Sequence, residues 1–241
     1  MPIARRNGLI TTAPPEGSLP PGYSVVVREH RLGSRSVRLY EVADPNALSD
    51  NLDPRTFEED ERFPYWAELW PSGVALAAFF LGRGLGAGLD AVELGCGLGV
   101  AGVAAALAGA RVTFTDFELD ALAFARANHA LNVGWPGRTR FVDWREPPPD
   151  LEAPLVLAAD VLYERRFFEP FLEALRRVVA PGGRAYVAEP GRDIARGTVE
   201  RLDAEGFERE LHLEEVDVRG RTHAVWIHEL RRPAGFCRRN P

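Results

Sequence analysis

Between Leu89 and about Gly206 the chain alternates short apolar runs, rich in β-branched residues, with longer runs of helical periodicity. The short runs are AVEL, RVTFTD, RFVDW, LVLAADV and RAYVAE, and the longer ones include VAGVAAALAG, DALAFARANHALN and FFEPFLEALRRVV. This alternation is typical of βαβ units, in which helices join parallel strands. It predicts an α/β fold with a mostly parallel sheet and helices on both faces.

The two ends of the chain carry strand patterns without a helix between them. The run YSVVVREHRLGSRSVRLYEV, residues 23–42, alternates apolar and polar positions around Gly33 and predicts an N-terminal β-hairpin. The run ERELHLEEVDVRGRTHAVWIHEL holds two extended segments around Gly220 and predicts an antiparallel hairpin at the other end. We therefore expect the last strand of the sheet to be reversed.

These patterns divide the chain into four parts. Residues 1–22 are rich in Pro, Gly and Ser and are predicted to be a flexible arm. Residues 23–64 would hold the hairpin and a connector, residues 65–232 the α/β domain, and residues 233–241 a tail. Within the domain, Pro71 and Ser72 precede a long apolar run, so a helix is expected to begin near Ser72.

Composition removes several classes of function. A chain of 241 residues that is 46% hydrophobic can bury a sizeable core. Its 29 basic and 35 acidic residues give a formal charge of −6, which argues against nucleic acid or an anionic membrane as partner. All the basic residues are arginine, so chemistry that needs a Schiff-base or Walker lysine is excluded.

Targeting and metal-binding patterns are also absent from the sequence. The N-terminal residues lack the apolar segment of a leader, and apolar runs fall short of the roughly 20 residues that a spanning helix needs. Two cysteines and five histidines show neither a disulfide framework nor the spacing of a metal site. A soluble cytoplasmic protein without a bound metal is expected.

The glycine-rich stretch AVELGCGLGVAGVAAALAGARVTFTDF allows two nucleotide-binding interpretations. Gly97, Gly99 and Gly102 form G-x-G-x-x-G, and Asp116 follows the first of them by nineteen positions. That pattern is typical of dinucleotide-binding oxidoreductases. Asp116 can accept hydrogen bonds from ribose hydroxyls of either cofactor, so it does not decide between them.

Glu93 favours the other interpretation, in which Gly95, Gly97 and Gly99 form the motif. A carboxylate two residues before the glycines would repel a pyrophosphate but would attract a cofactor that carries an ammonium and a sulfonium. The reversed last strand agrees, since the class I methyltransferase fold has one, whereas crossovers usually join all strands of dinucleotide-binding sheets. S-adenosylmethionine is therefore favoured, and a nicotinamide cofactor stays the alternative.

Several further runs carry a family resemblance: LWPSGVALAAFFL, VELGCGLG, FTDF, VDW and ADVLYE. Together they resemble the class I, seven-β-strand protein lysine methyltransferases of the methyltransferase 16 type, which include the enzymes that modify the electron transfer flavoprotein β-subunit. The resemblance covers about residues 65–189, and its most specific element is DVLY, residues 160–163. It implies a Rossmann-like sheet of seven strands, S-adenosylmethionine as cofactor, and a lysine side chain of a partner protein as methyl acceptor.

The resemblance also implies cofactor contacts, position by position. Asp116 would hold the ribose hydroxyls, while Asp143 would accept from the adenine amine and Trp144 would cover the ring. The remaining cofactor-binding residues that it implies are Trp70, Glu93, Gly95, Gly97, Gly99 and Ala159.

Asp160 and Tyr163 are the catalytic residues that the resemblance implies. They would lie at the mouth of a lysine channel and orient the amine by hydrogen bonds. Because lysine has a reference pKa of about 10.4, aromatic walls formed by Tyr65 and Trp66 would help by disfavouring its charged form. Core packing for Trp66, and capping of the helix that follows Asp160, are the structural alternatives.

Other functions remain open as hypotheses. Methyltransferases that act on exocyclic base nitrogens carry an N-P-P-aromatic motif after the fourth strand, and ADVLY lacks its asparagine and both prolines. That difference and the negative net charge argue against base methylation. A small-molecule methyltransferase and a non-catalytic cofactor-binding protein are the remaining alternatives, and the sequence leaves the oligomeric state open.

Overall fold

The N-terminal β-hairpin predicted from the sequence is confirmed. A computed structural model describes residues 14–50, 64–195, 197–198, 201–202 and 205–235. Strands β1 (Val25–Leu32) and β2 (Arg35–Val42) pair in antiparallel register, and a short helix, α1 (Asn46–Asp50), follows. Most of the predicted arm, residues 51–63 of the predicted connector and the end of the predicted tail lie outside the described residues.

The main sheet has seven strands in the spatial order β5-β4-β3-β6-β7-β9-β8. The strands β3 to β7 are parallel, and β9 lies between β7 and β8 and runs antiparallel to both. The predicted mostly parallel sheet with a reversed last strand is therefore confirmed. The strand bounds are β3 (Asp90–Leu94), β4 (Arg111–Asp116), β5 (Arg138–Phe141), β6 (Ala153–Ala159), β7 (Val179–Glu189), β8 (Glu208–Val218) and β9 (Arg221–Arg231).

Helices cover both faces of the sheet, as predicted. One core lies between the sheet and the helices α2 (Pro71–Arg83), α3 (Val100–Leu107) and α4 (Leu119–Val133), and the hairpin packs into this core. The opposite core holds α5 (Phe168–Val178). Proline at the first position of α2 has the backbone angle that a helix requires, so the helix begins one residue before the predicted Ser72. None of the described helices is long and apolar enough to cross a membrane.

Two asparagines on α4 hold the hairpin against the main domain. Asn128 Oδ1 accepts from the Tyr40 amide (2.6 Å), and its Nδ2 donates to the carbonyls of Tyr40 (3.2 Å) and Leu98 (2.9 Å). Asn132, one turn later, bonds the amide and carbonyl of Arg38 at 2.9 and 2.7 Å. Each side-chain amide therefore bonds the backbone at the edge of β2, in place of a neighbouring strand. Through the Leu98 carbonyl, Asn128 also links that edge to the glycine loop.

Candidate functional site

A cavity of about 270 Å³ opens at the carboxyl ends of β3, β4 and β6. The chain crosses from one half of the sheet to the other between β3 and β6, and ligands of open α/β sheets bind at such switch points. Every site residue predicted from the sequence lines this cavity except Gly99. The structure therefore brings together side chains from five separate segments: Trp70, Glu93, Asp116, Asp143 with Trp144, and Asp160 with Tyr163.

The glycine loop forms a cradle that a larger residue would fill. Gly95 and Gly97 have φ of +66° and +49°, the left-handed region that favours glycine. A Cβ on Gly95 would lie 3.0 Å from Cζ2 of Trp144, and a Cβ on Gly97 would lie 3.2 Å from the carbonyl oxygen of Trp66. Glycine at both positions lets the loop turn tightly and lie against Trp144 and Trp66 while its backbone lines the cavity, which is compatible with the predicted cofactor.

Gly99 lies elsewhere, at the start of α3. Its φ is +77°, and an added Cβ would lie 2.9 Å from Cβ of Ala125 on α4 and 3.1 Å from Cε1 of Phe114. Its lack of a side chain therefore allows α3, α4 and β4 to pack closely. A direct cofactor contact for Gly99 stays a prediction.

Two buried carboxylates, Glu93 and Asp116, lie at neighbouring strand ends. Glu93 accepts from the amide of Gly102 (3.1 Å), and burial together with the charge of Asp116 raises the pKa of its carboxyl well above the ordinary value. Asp116 accepts from the amides of Gly97 and Glu118, both at 3.0 Å, and burial raises its pKa as well. In the described part of the chain neither forms an ion pair with an arginine, so the site suits a cationic ligand.

Trp144 and Asp143 form the wall opposite Glu93. The indole of Trp144 lies against Gly95 and contacts Phe171 edge-on, with ring centroids 5.4 Å apart. The carboxylate of Asp143 binds Arg145, whose Nε and Nη2 lie 2.9 and 2.5 Å from Oδ2. An adenine amine at Asp143 would share that carboxylate with Arg145. The sequence pattern did not indicate this ion pair, although Arg145 lies only two residues after Asp143.

Asp160 is the most constrained residue of the site. Its φ of +55° is unusual for a residue other than glycine, and only 3% of its side chain is exposed. Oδ2 accepts from the Ser72 amide in the first turn of α2 (3.0 Å), and Oδ1 accepts from Nη1 of Arg192 (2.6 Å). The structural alternative from the sequence was that Asp160 caps the helix that follows it. In the structure its carboxylate caps the N-terminus of α2 instead.

Aromatic rings surround the entrance near Asp160. The ring of Tyr163 lies 5.0 Å from that of Tyr65, and burial, followed by the charge of Glu164, raises the pKa of its phenol above the ordinary value. Tyr163 therefore offers a neutral hydroxyl at neutral pH. Trp70 lies beside them, and its Nε1 donates to the Tyr65 carbonyl (2.8 Å).

The ring of Trp66 packs into the core as well as lining the cavity. It lies 5.2 Å from the ring of Phe124 on α4 and 5.6 Å from that of Tyr23, which precedes the hairpin. Core packing was the alternative that the sequence left open for Trp66. Its side chain joins the N-terminal segment to the main domain next to the cavity.

A separate group of potential metal ligands lies on β8 and β9, away from this cavity. Glu210, His212 and Glu229 bring their ligand atoms within 4.8 Å of one another. Glu229, however, already binds Nε of Arg231 (3.0 Å) and Nη1 of Arg184 (3.3 Å). The group is therefore part of an ion-pair network, because the Glu229 carboxylate that a metal would need already binds two arginines.

Comparisons with known proteins agree with this geometry. A family model described as lysine methyltransferase matches residues 51–197. EEF1A lysine methyltransferase 3 of Mus musculus is 32% identical over 183 residues, which cover 71% of this chain and 77% of that protein. The electron transfer flavoprotein beta subunit lysine methyltransferase of Xenopus laevis is 32% identical over 134 residues, covering 54% of this chain and 53% of that protein.

A solved structure supports the fold. The magnesium protoporphyrin IX methyltransferase of Synechocystis PCC 6803, crystallised with bound SAH, aligns with a TM-score of 0.52 at 14% identity, covering 78% of this chain and all of that one. At this identity the similarity concerns the fold alone. The family match covers more than half of the chain, and it confirms the resemblance predicted from the sequence. The chain therefore belongs to the lysine methyltransferase family.

Proposed function

We propose that this protein transfers a methyl group from S-adenosylmethionine to a lysine side chain of a partner protein. The observation that carries the proposal is the pair of buried carboxylates, Glu93 and Asp116, beside a glycine cradle at the switch point of the sheet. Negative charge without an arginine partner favours a ligand with an ammonium and a sulfonium over a pyrophosphate.

The cofactor would occupy the cavity that the glycine loop and Trp144 line. Gly95 and Gly97 would let it approach the backbone, Asp116 would accept from the ribose hydroxyls, and Asp143 would accept from the adenine amine. Glu93 would balance the positive charge of the ammonium and the sulfonium at the other end of the cofactor. When bound, S-adenosylmethionine would supply a methyl group on a sulfonium: a neutral amine would attack the methyl carbon in line, and the carbon–sulfur bond would break to release S-adenosylhomocysteine as the neutral thioether.

The chain must then deliver the lysine as a neutral amine. Lysine has a reference pKa of about 10.4, and an apolar entrance lowers this value because it disfavours the charged form. Tyr65, Trp70 and Tyr163 supply such an entrance, and the hydroxyl of Tyr163 can accept a hydrogen bond from the amine. Asp160 has both carboxylate oxygens engaged, so we assign it the role of fixing this wall and of holding negative charge near the incoming amine.

The first test incubates the protein with methyl-labelled S-adenosylmethionine and a cytoplasmic extract, then locates the label. We expect label on a protein band, recovered as methyl-lysine and strongly reduced in the Asp160→Asn variant, which keeps a hydrogen-bond acceptor for Ser72. Arg126→Ala, an exposed change on α4, should behave as the wild type. Label on nucleic acid or on a small molecule, or tight cofactor binding without transfer, would contradict the proposal.

Three further features belong to the same proposal. The methyltransferase unit would comprise residues 65–232, the substrate would be a protein rather than nucleic acid or membrane, and the site of action would be the cytoplasm. The formal charge of −6 supports the choice of partner. Deletion of residues 1–13 should leave cofactor affinity unchanged, and calorimetric titration of the shortened protein would check that these residues lie outside the methyltransferase unit.

A further inference from the structure

A second cavity, of about 570 Å³, opens beside the candidate active site. The two cavities share Glu68, Leu69 and Trp70 along one wall. The remaining walls carry Arg192, which follows β7, and residues of the β8–β9 hairpin. We call this cavity the basic groove, defined by Arg192, Arg219, Arg221 and His223.

The basic groove has a charge opposite to that of the whole chain. The protein has a formal charge of −6, whereas this wall holds three arginines and a histidine against one acid, Glu68. Glu68 binds Nη1 of Arg219 (2.8 Å), and the nearby carboxylate of Asp217 accepts from the Gly220 amide within the turn. The acids in and beside the groove are therefore already engaged.

Arg221 and Arg192 provide the charge that a ligand could use. The side chain of Arg221 is exposed, and its guanidinium forms no hydrogen bond or ion pair with any other described residue. Arg192 binds Asp160 with one nitrogen, Nη1, and its guanidinium lies 5.8 Å from the ring of Trp70. A guanidinium carries five N–H donors, so Arg192 keeps donors that can bind a carboxylate.

The tight turn between β8 and β9 fixes the position of the arginines. Val218 pairs with Arg221 in register, and Arg219 between them has a φ of +54° in the left-handed region. Its contact with Glu68 joins the turn to the segment before α2. The guanidinium of Arg219 and the backbone of Arg221 are therefore held at the rim of the groove before any ligand arrives, which reduces the entropy lost on binding.

We propose that the basic groove binds an acidic segment of the protein substrate next to the lysine that is methylated. The inference rests on the proposed function, because a chain whose lysine enters the active site meets the groove directly past Trp70. Aspartate or glutamate side chains near the lysine would pair with Arg221 and Arg192. Arginine neighbours would be repelled, so the groove would also exclude basic segments.

The test measures binding, so it does not depend on transfer. The probes are fluorescein-labelled nine-residue peptides with one central lysine and flanking residues that are all glutamate, all serine or all arginine. Their affinities are measured by fluorescence anisotropy with S-adenosylhomocysteine present, for the wild type and for the Arg221→Glu and Arg221→Lys variants. Arg126→Glu is the matched control, since it makes the same charge change on α4 beside the opposite edge of the sheet.

We expect the glutamate peptide to bind the wild type about tenfold more tightly than the serine peptide, with the difference shrinking as salt is raised. Arg221→Glu should remove most of that difference, while Arg221→Lys and Arg126→Glu should keep it. Equal affinity for the peptides, or equal effects of Arg221→Glu and Arg126→Glu, would overturn the inference. The wild type could prefer the glutamate peptide in this assay while the labelled extract yields no methyl-lysine. That result would uphold the role of the basic groove and reject the proposed function.

Discussion

Replacement of Asp160 by alanine should destabilise the protein as well as stop methyl transfer. Asp160 joins the end of β6 to the first turn of α2, through the Ser72 amide, and to Arg192. Asp160→Ala removes both acceptors at once. It also places alanine at a φ of +55°, a backbone region that aspartate tolerates better.

The magnitude follows from three contributions. Loss of the side-chain cap on α2 costs about 1 kcal/mol. The ion pair contributes about 0.5–1 kcal/mol, discounted because the Arg192 side chain is 31% exposed. The left-handed backbone adds about 1 kcal/mol. The free energy of unfolding should therefore fall by about 2.5–3 kcal/mol, which lowers the melting temperature of a chain this long by about 5–12 °C.

Asp160→Asn separates these contributions from catalysis. Asparagine keeps an acceptor for Ser72 and adopts the left-handed region, so only the ion pair is lost and the melting temperature should fall by about 1–4 °C. Calorimetric melting of the two variants and of Arg192→Ala tests this, with methyl transfer measured in parallel. Identical melting of Asp160→Ala and wild type would refute the capping role, and full transfer by Asp160→Asn would remove the charge of Asp160 from the mechanism.

Four other changes test the site. Because the folded-state pKa of Glu93 is raised, ionisation of its carboxyl destabilises the folded protein as the pH rises above the unfolded pKa of about 4.3. Glu93→Gln should therefore reduce the fall in melting temperature between about pH 5 and 8. The same variant should bind S-adenosylmethionine more weakly in calorimetric titration. In Gly97→Ala the added Cβ would press on the Trp66 carbonyl in the loop before α2, so cofactor binding should weaken. Gly99→Ala should instead lower the melting temperature by several degrees, because its Cβ would press on Ala125. Tyr163→Phe should slow transfer in a single-turnover assay while cofactor affinity stays unchanged.

The fold could be predicted because its signals are local. Alternation of apolar positions identified the strands, and the absence of a helix between the last two runs identified the reversed strand. The start of α2 followed from Pro71, whose ring fixes the backbone angle wherever it occurs. Such features depend on neighbours a few residues away, so a single sequence contains them.

The site could be predicted only in part because its contacts are remote in sequence. Spacing identified Gly99 as part of the glycine motif, but only the packing of α3 on α4 shows that it lies against Ala125. Asp160 and Ser72 are 88 positions apart, and Arg192 follows Asp160 by 32 positions in a segment without a motif. No local pattern indicates that both oxygens of Asp160 are engaged.

The start of α2 joins the two cavities. Trp70 forms part of both walls, and the next residues begin the helix that Asp160 caps. Arg192 binds this same carboxylate from the side of the basic groove. The cofactor contacts predicted for Gly95 and Gly97 come from a different loop, between β3 and α3. Gly97 nevertheless lies against the carbonyl of Trp66 in the segment before α2. A substrate segment that draws Arg192 toward itself would therefore change the wall beside the lysine next to a segment that the cofactor loop also contacts, so substrate choice and cofactor binding are linked through the start of α2.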